Sequence, residues 1–320
     1  MHRQTELSPS ETVKNRLRVV YIMGYGRSGS TILDTILGNH PDLESVGELL
    51  HAVRLAFLED EFCACGQRAS ECPFWTEVLR RWTSAGGDPE SYDALSKTIE
   101  GSRWQTLRIL ADLSPAGNER LERWRRSTLA LFEAVAAASG KRVLVDSSKN
   151  PARALALAGI QELELFLVHL VRDGRGVAWS LAKAFEKDAR AGLQQRIAPR
   201  SIQRTALAWS LVNRAAEQVF AKLPPDRRLL LRYEDFVLDL GGALAPLESF
   251  VGSDLREYAA GVGAGAPLAP GHTIAGNRLR MSSRIELKAD TDWQGRMPAK
   301  ARNRFGLVAG GSLRRYGYAK

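Results

Sequence analysis

The apolar positions of this chain come in two spacings. Short, mainly apolar runs occur at Leu17–Met23 ("LRVVYIM"), which is rich in β-branched residues, at 141–146 ("KRVLVD"), at Leu163–Val171 ("LELFLVHLV") and within "RRLLLRYEDF" at 227–236. Runs of this length and composition suit strands buried on both faces of a parallel sheet. Between them the spacing becomes helical. Ile32, Leu33, Ile36 and Leu37 share one helical face before Gly38 and Pro41, and further helices are expected over 151–158, 174–190, 200–221 and 236–250. Strands that alternate with helices predict an α/β fold, a central parallel sheet flanked by helices on both faces. Residues 49–139 break the alternation. They read as mainly helical, interrupted by a cysteine-rich turn, "SAGGDP" and "LSPAGN", and so as an insertion, the natural source of a binding pocket. The organisation expected is a flexible N-terminal segment, 1–16, and a single domain, 17–320.

The first strand leads into "GYGRSGST", Gly24 to Thr31. This is nearly the phosphate-binding signature G-x-x-x-x-G-K-[ST], with Ser30 in the lysine position. A strand, a glycine-rich turn and a helix in that order aim backbone N–H groups and the positive end of a helix dipole at one spot, which is an anion seat. The cation comes earlier, as Arg27, and no Walker-B carboxylate strand follows. Such a loop suits a 5′-phosphate bearing something other than a triphosphate, and no metal is expected. Ligands in open parallel sheets bind at the carboxyl ends of strands, where Arg27, Ser147 to Lys149 and Arg172 all fall.

The stretch "GYGRSGSTILDTILGNHPDLESVGE" resembles the 5′-phosphosulfate loop of sulfotransferases that use 3′-phosphoadenosine 5′-phosphosulfate (PAPS), in particular the tyrosylprotein and bacterial branches. The resemblance implies a fold like that of P-loop nucleotide kinases. It also implies a 5′-phosphosulfate site built from Arg27, Ser28, Gly29, Ser30 and Thr31. The family's 3′-phosphate motif, an arginine at a strand end and a serine eight positions later, is matched by Arg172 and Ser180 in "LELFLVHLVRDGRGVAWSLAKAF". Arginine offers a planar fork of donors to a doubly charged phosphate; the alternative is that Arg172 pairs with Asp173. Near the C-terminus, Gly276-Asn277-Arg278-Leu279-Arg280 is similar to the family's Gly-Asn-Pro-x-Arg segment but lacks the proline. Asn277, Arg278 and Arg280 are accordingly expected to close over the cofactor, or else to form a basic solvated loop.

Sulfuryl transfer needs cations near the leaving oxygen and a proton acceptor near the attacking hydroxyl. Arg27 and Lys149, the latter in "DSSKNP" just past a strand, are the expected cations. The tyrosylprotein branch carries its catalytic glutamate after a glycine downstream of His-Pro-Asp, which implies Glu48 as the base; His51 is the substitute, and helix capping is the competing role for Glu48. The expected activity is transfer from PAPS, leaving 3′-phosphoadenosine 5′-phosphate (PAP), to a hydroxyl of a small molecule, glycan or lipid. The alternatives are a P-loop kinase-like phosphotransferase and a non-catalytic protein that binds PAP or another nucleotide.

Composition narrows the partners. No run approaches the roughly 18 apolar residues of a membrane span, and residues 1–16 lack a signal-peptide core, so a cytoplasmic protein with no integral membrane segment is expected. The net charge of +9 fits an anionic ligand; the arginines are dispersed rather than in blocks and no nucleic-acid fold signature occurs, which argues against nucleic acid. The three cysteines, Cys63, Cys65 and Cys72, all lie in "CACGQRASECPFW". Three readings are open: zinc ligands with His51 as a fourth, a disulfide plus a free thiol, or reduced thiols in a compact turn. The C-x-C-x6-C spacing departs from paired C-x2-C zinc patterns. Similar Cys-Pro-Phe-Trp segments in bacterial members of the family imply a role in shaping the acceptor side.

Overall fold

A computed structural model describes residues 16–101, 105–106, 108–109, 119–183, 198–269, 271–276 and 287–318. The expected strands form. β1 (Leu17–Met23) runs into α1 (Ser30–Gly38) and then β2 (Leu43–Ser45). The helices that follow are α2 (Leu49–Val53), continued by a π turn over Arg54–Leu58, then α3 (Pro73–Ser84), α4 (Pro89–Ile99) and α5 (Glu119–Ser139). Alternation resumes with β3 (Val143–Lys149), α6 (Pro151–Leu157), β4 (Leu163–Val171), α7 (Gly174–Leu181), α8 (Ile202–Phe220) and β5 (Arg228–Arg232). The remaining helices are α9 (Tyr233–Leu238), α10 (Leu240–Leu244), α11 (Glu248–Val251), α12 (Leu255–Gly263), α13 (Asp292–Arg296) and α14 (Ala299–Arg315).

The five strands form one parallel sheet in the order β2-β3-β1-β4-β5. Both faces are covered, as the continuous apolar runs require. Val19, Tyr21 and Met23 of β1 pack under α3, α5 and α6 with Trp75, Trp124 and Leu157. Val20 and Ile22 turn to the opposite face, against Leu33, Ile36 and Leu37 of α1 and Phe236 of α9.

The structure adds one strand to those expected and breaks one expected helix. Strand β2 has three residues and no apolar run; it exists because Leu43 to Ser45 pair in register with Val143 to Val145. The single helix expected over 236–250 is broken into α9, α10, a 3-10 turn at Ala245–Leu247 and α11. Asp239 accepts from the Gly242 N–H at 2.9 Å, which restarts the helix, and Pro246 cannot donate in its interior. The helix expected over 174–190 is described as far as Leu181, and 184–197 lie outside the described residues.

One buried charge network ties α4 and α6 to the sheet. Arg153, fully buried, donates to Asp146 Oδ2 at 2.9 Å and to Glu100 Oε1 at 2.8 Å, and its guanidinium lies over the Trp124 ring. Burial pushes the Glu100 carboxyl up to about 7, against the pull of Arg153. No described helix is long and apolar enough to cross a membrane.

Candidate active site

Strand ends β1, β3 and β4 and the loops that leave them converge on one spot. The glycines of the first loop are there for backbone reasons. Gly24 takes φ 146° with a Cβ position only 2.3 Å from the Leu170 carbonyl oxygen, and Gly29 takes φ 92° with a Cβ position 2.5 Å from the Tyr233 ring. Any side chain at either would displace β4 or α9. Gly29 caps α1, and no side chain caps that helix; its dipole end faces the loop. Ser28 is buried, and its hydroxyl has no hydrogen-bond partner among the described residues. An orphaned buried hydroxyl beside an uncapped helix N-terminus fits an oxyanion.

Arg27 and Lys149, the two expected cations, both adopt left-handed backbone conformations, with φ 70° and 69°. Bulky residues rarely hold this conformation, and where they do the strain tends to sit at functional positions. The Arg27 guanidinium reaches across to α7, where its Nε donates to Ser180 Oγ at 3.0 Å. The Arg27 carbonyl in turn accepts from Arg172 Nη1 at 3.2 Å. The loop and the Arg172/Ser180 pair, separated by some 150 residues, are therefore one contiguous constellation. Arg172 does not pair with Asp173, whose carboxylate holds Arg175 instead. It stacks over Tyr233 at 4.6 Å and donates to Asp290 Oδ2 at 2.8 Å. Asp290 fastens the 287–296 segment to Arg172 at the end of β4, and Asp292, accepting from Trp179 Nε1 at 3.0 Å, fastens it to α7. Both acids follow the basic stretch expected to close over the cofactor; its Asn277, Arg278 and Arg280 lie outside the described residues. A cavity of about 310 Å³ opens beside this segment, lined by Tyr233, Asp290, Trp293 and Tyr318 among others.

Glu48 is held by the end of β3. The Gly47 carbonyl accepts from Ser147 N–H at 2.8 Å, and the Leu50 N–H donates to Ser148 Oγ at 2.9 Å. Gly47, at φ 65°, has room for no Cβ, because Ala275 O stands 2.8 Å from where one would be. Between these anchors Glu48 occupies the cap position of α2, yet its side chain caps nothing. Its Oε1 meets Lys149 Nζ at 2.5 Å. The Lys149 backbone carbonyl also anchors the loop, accepting from Gly24 N–H at 3.0 Å. His51, one turn along α2, is exposed, with Glu48 and Lys149 within electrostatic reach of its ring.

Asp34 is a residue that sequence reasoning missed. It projects from α1 beneath this group, buried, with burial pushing its carboxyl up to about 7 against hydrogen bonds from Ser45 and Ser147 and the Lys149 ammonium. The folded chain thus holds this proton more tightly than the unfolded chain. The stabilisation that follows is complete in acid and is lost as pH rises from about 4 to about 7. Asp34→Asn stays neutral throughout, so its stability relative to wild type rises across that window by about 1–3 kcal/mol. Urea melts of both proteins at pH 4 and pH 8 measure it; a difference that does not change with pH would show that Asp34 is not buried as a carboxyl acid.

The three thiols gather at one point, unbonded to one another. The fourth group beside them is His272, not the His51 considered from sequence.

Residues 20–257 match the model of the sulfotransferase family. Among solved structures, the chain is similar to the sulfotransferase domain from the curacin biosynthetic pathway at 16% identity, covering 92% of this chain and 97% of that one with a TM-score of 0.50. It is similar to the sulfotransferase domain of the Synechococcus PCC 7002 olefin synthase at 20% identity, over 93% and 95%, with a TM-score of 0.48. A sulfotransferase from Mycobacterium avium aligns at 12% identity over 97% and 79%, with a TM-score of 0.48. No curated protein sequence matches the chain.

Proposed function

This chain belongs to the sulfotransferase family, and from that premise we propose that it transfers the sulfuryl group of PAPS to a hydroxyl acceptor with Glu48 as the base. The observation that carries the reading is the Glu48–Lys149 pair, a carboxylate and an ammonium 2.5 Å apart at the strand end whose carbonyl anchors the first glycine of the loop. An acid–base group and a cation are thus held beside one anion seat by separate elements of the fold.

The residues present suit PAPS. The buried Ser28 hydroxyl, the uncapped α1 and the Cβ-excluding glycines of the loop favour the 5′-phosphosulfate. Arg172, with Ser180, favours the 3′-phosphate. Bound there, PAPS supplies an activated sulfuryl group on a phosphate leaving group. The chain's own part is to orient and to hold charge. Glu48 Oε1 takes the proton of the attacking hydroxyl, and Lys149 Nζ, released from its carboxylate partner, offers positive charge to the leaving side. The Arg27 guanidinium does the same from across the loop. The helices of 49–139 and the exposed rim at His51 border the acceptor side, and the acceptor class is a hydroxyl on a small molecule, glycan or lipid.

Transfer of labelled sulfate from PAPS to a panel of phenols, alcohols and sugars, without added metal, tests the activity. The cofactor assignment has its own measurement. PAP raises the melting temperature more than ATP with magnesium does, by binding the native state alone. Arg172→Ala removes most of that advantage and weakens PAP by about 10- to 100-fold, the loss expected for one charge-assisted contact of about 1.5–3 kcal/mol. Because the Asp290 carboxylate holds the same guanidinium, it has to yield the fork when PAP binds. Equal stabilisation by PAP and by ATP with magnesium would overturn the sulfotransferase reading in favour of a phosphotransferase.

A further inference from the structure

We propose that Cys63, Cys65, Cys72 and His272 form a structural zinc site. The ligand atoms of these four residues lie within 4.8 Å of one another. The Sγ atoms of Cys65 and Cys72 are 3.7 Å apart, and those of Cys63 and Cys72 are 3.8 Å apart. His272 Nδ1 lies 3.4 Å from Cys72 Sγ and 3.8 Å from Cys63 Sγ. A tetrahedron built on zinc–sulfur bonds of about 2.3 Å and a zinc–nitrogen bond of about 2.0–2.1 Å has S···S edges of about 3.8 Å and S···N edges of about 3.5–3.6 Å. The four measured edges scatter around those values.

Chance packing does not account for the group. A lone buried cysteine behaves as a small hydrophobe, but here every cysteine of the chain converges with a histidine 200 residues away from the third of them. The local backbone is shaped for it. Cys63 opens, and Cys65 lies within, a tight turn closed by Gly66 N–H to Cys63 O and Cys63 N–H to Gln67 O, both 2.9 Å, with Gly66 at φ 90°. His272 is held at ring and backbone: Phe74 stacks on the imidazole at 4.9 Å with planes 10° apart, and Trp75 Nε1 donates to the His272 carbonyl at 2.7 Å. Three thiolates and an imidazole are a soft donor set that selects zinc over magnesium or calcium. With four protein ligands the site has no open position, so its role is structural.

What the ion would join is specific. Ala64 N–H already donates to Thr273 O at 2.9 Å, and Thr273 and Ala275 pack on Gly47. Zinc would lock the cysteine turn to the 271–276 strap, and that strap is the wall against which Gly47, the residue before Glu48, is set. The site stands whether or not the chain transfers sulfate.

Elemental analysis of the full chain, purified with zinc in the medium and passed through gel filtration with a mild chelator, tests this. About one zinc per chain is expected. Cys65→Ser and His272→Ala retain under about a fifth of it, whereas His51→Ala retains it all. Refolding the stripped wild type with Co²⁺ gives the intense visible bands of tetrahedral cobalt thiolate, which does not depend on the variants folding. Wild-type protein with neither zinc nor that cobalt spectrum overturns the proposal, as does undiminished zinc in both Cys65→Ser and His272→Ala.

Discussion

Glu48→Gln lowers turnover with an alcohol acceptor by on the order of 10²-fold or more and leaves the affinity for PAP nearly unchanged. The side chain keeps its size and loses its basicity. An alcohol has a far higher pKa than a phenol and depends more on proton removal in the transition state, so an acidic phenol loses less. The structure makes the substitution a clean one in two respects. Glu48 does not cap α2 with its side chain, so no helix end is left unsatisfied. The backbone on either side is held by Ser147 and Ser148, so the segment keeps its place without the ion pair to Lys149. Steady-state kinetics with both acceptors and a PAP titration give the result. A large fall in melting temperature, or loss of PAP binding, would mean that the Glu48–Lys149 pair is structural; the base would then be sought at His51, on the next turn of α2. Unchanged turnover with both acceptors would remove Glu48 from the chemistry altogether.

Arg153→Ala is expected to cost about 3–5 kcal/mol of folding stability. The guanidinium is fully buried between Asp146 and Glu100, and its removal leaves two carboxyl groups in the interior without a cation. Glu100→Gln is the informative control. Burial has already pushed the Glu100 carboxyl up to about 7, so the neutral amide resembles the form that dominates below that pH, and a cost under about 1 kcal/mol is expected at pH 6. Chemical denaturation of the three proteins at that pH compares them. Arg153→Ala within about 1 kcal/mol of wild type would show that water or a local shift satisfies the two carboxyl groups. The network matters beyond stability, because Asp146 also accepts from Ser148, which holds the segment bearing Glu48.

What the sequence determined by itself was local. The strand, glycine turn and helix of residues 17 to 38 and the arginine at the end of β4 were legible, because backbone amides, strand ends and eight-residue intervals are set within a few turns of chain. The break between α9 and α11 was also written there, in Asp239, the Gly241-Gly242 pair and Pro246, but the apolar spacing spoke louder than these signals. Tertiary structure alone decided the rest. Strand β2 exists only through its neighbour β3, and the order of strands has no local correlate. The carboxylate on Arg172 comes from Asp290, 118 residues away. Asp34 reads as an ordinary polar position of an amphipathic helix until the sheet end closes over it. The fourth partner of the cysteines is His272 rather than the nearby His51, because helix α2 carries His51 outward beside Glu48 while the 271–276 strap folds back onto Phe74 and Trp75. Spacing along a chain reports what neighbouring residues can share; which distant side chains meet is settled by how the buried faces of helices and sheet are covered.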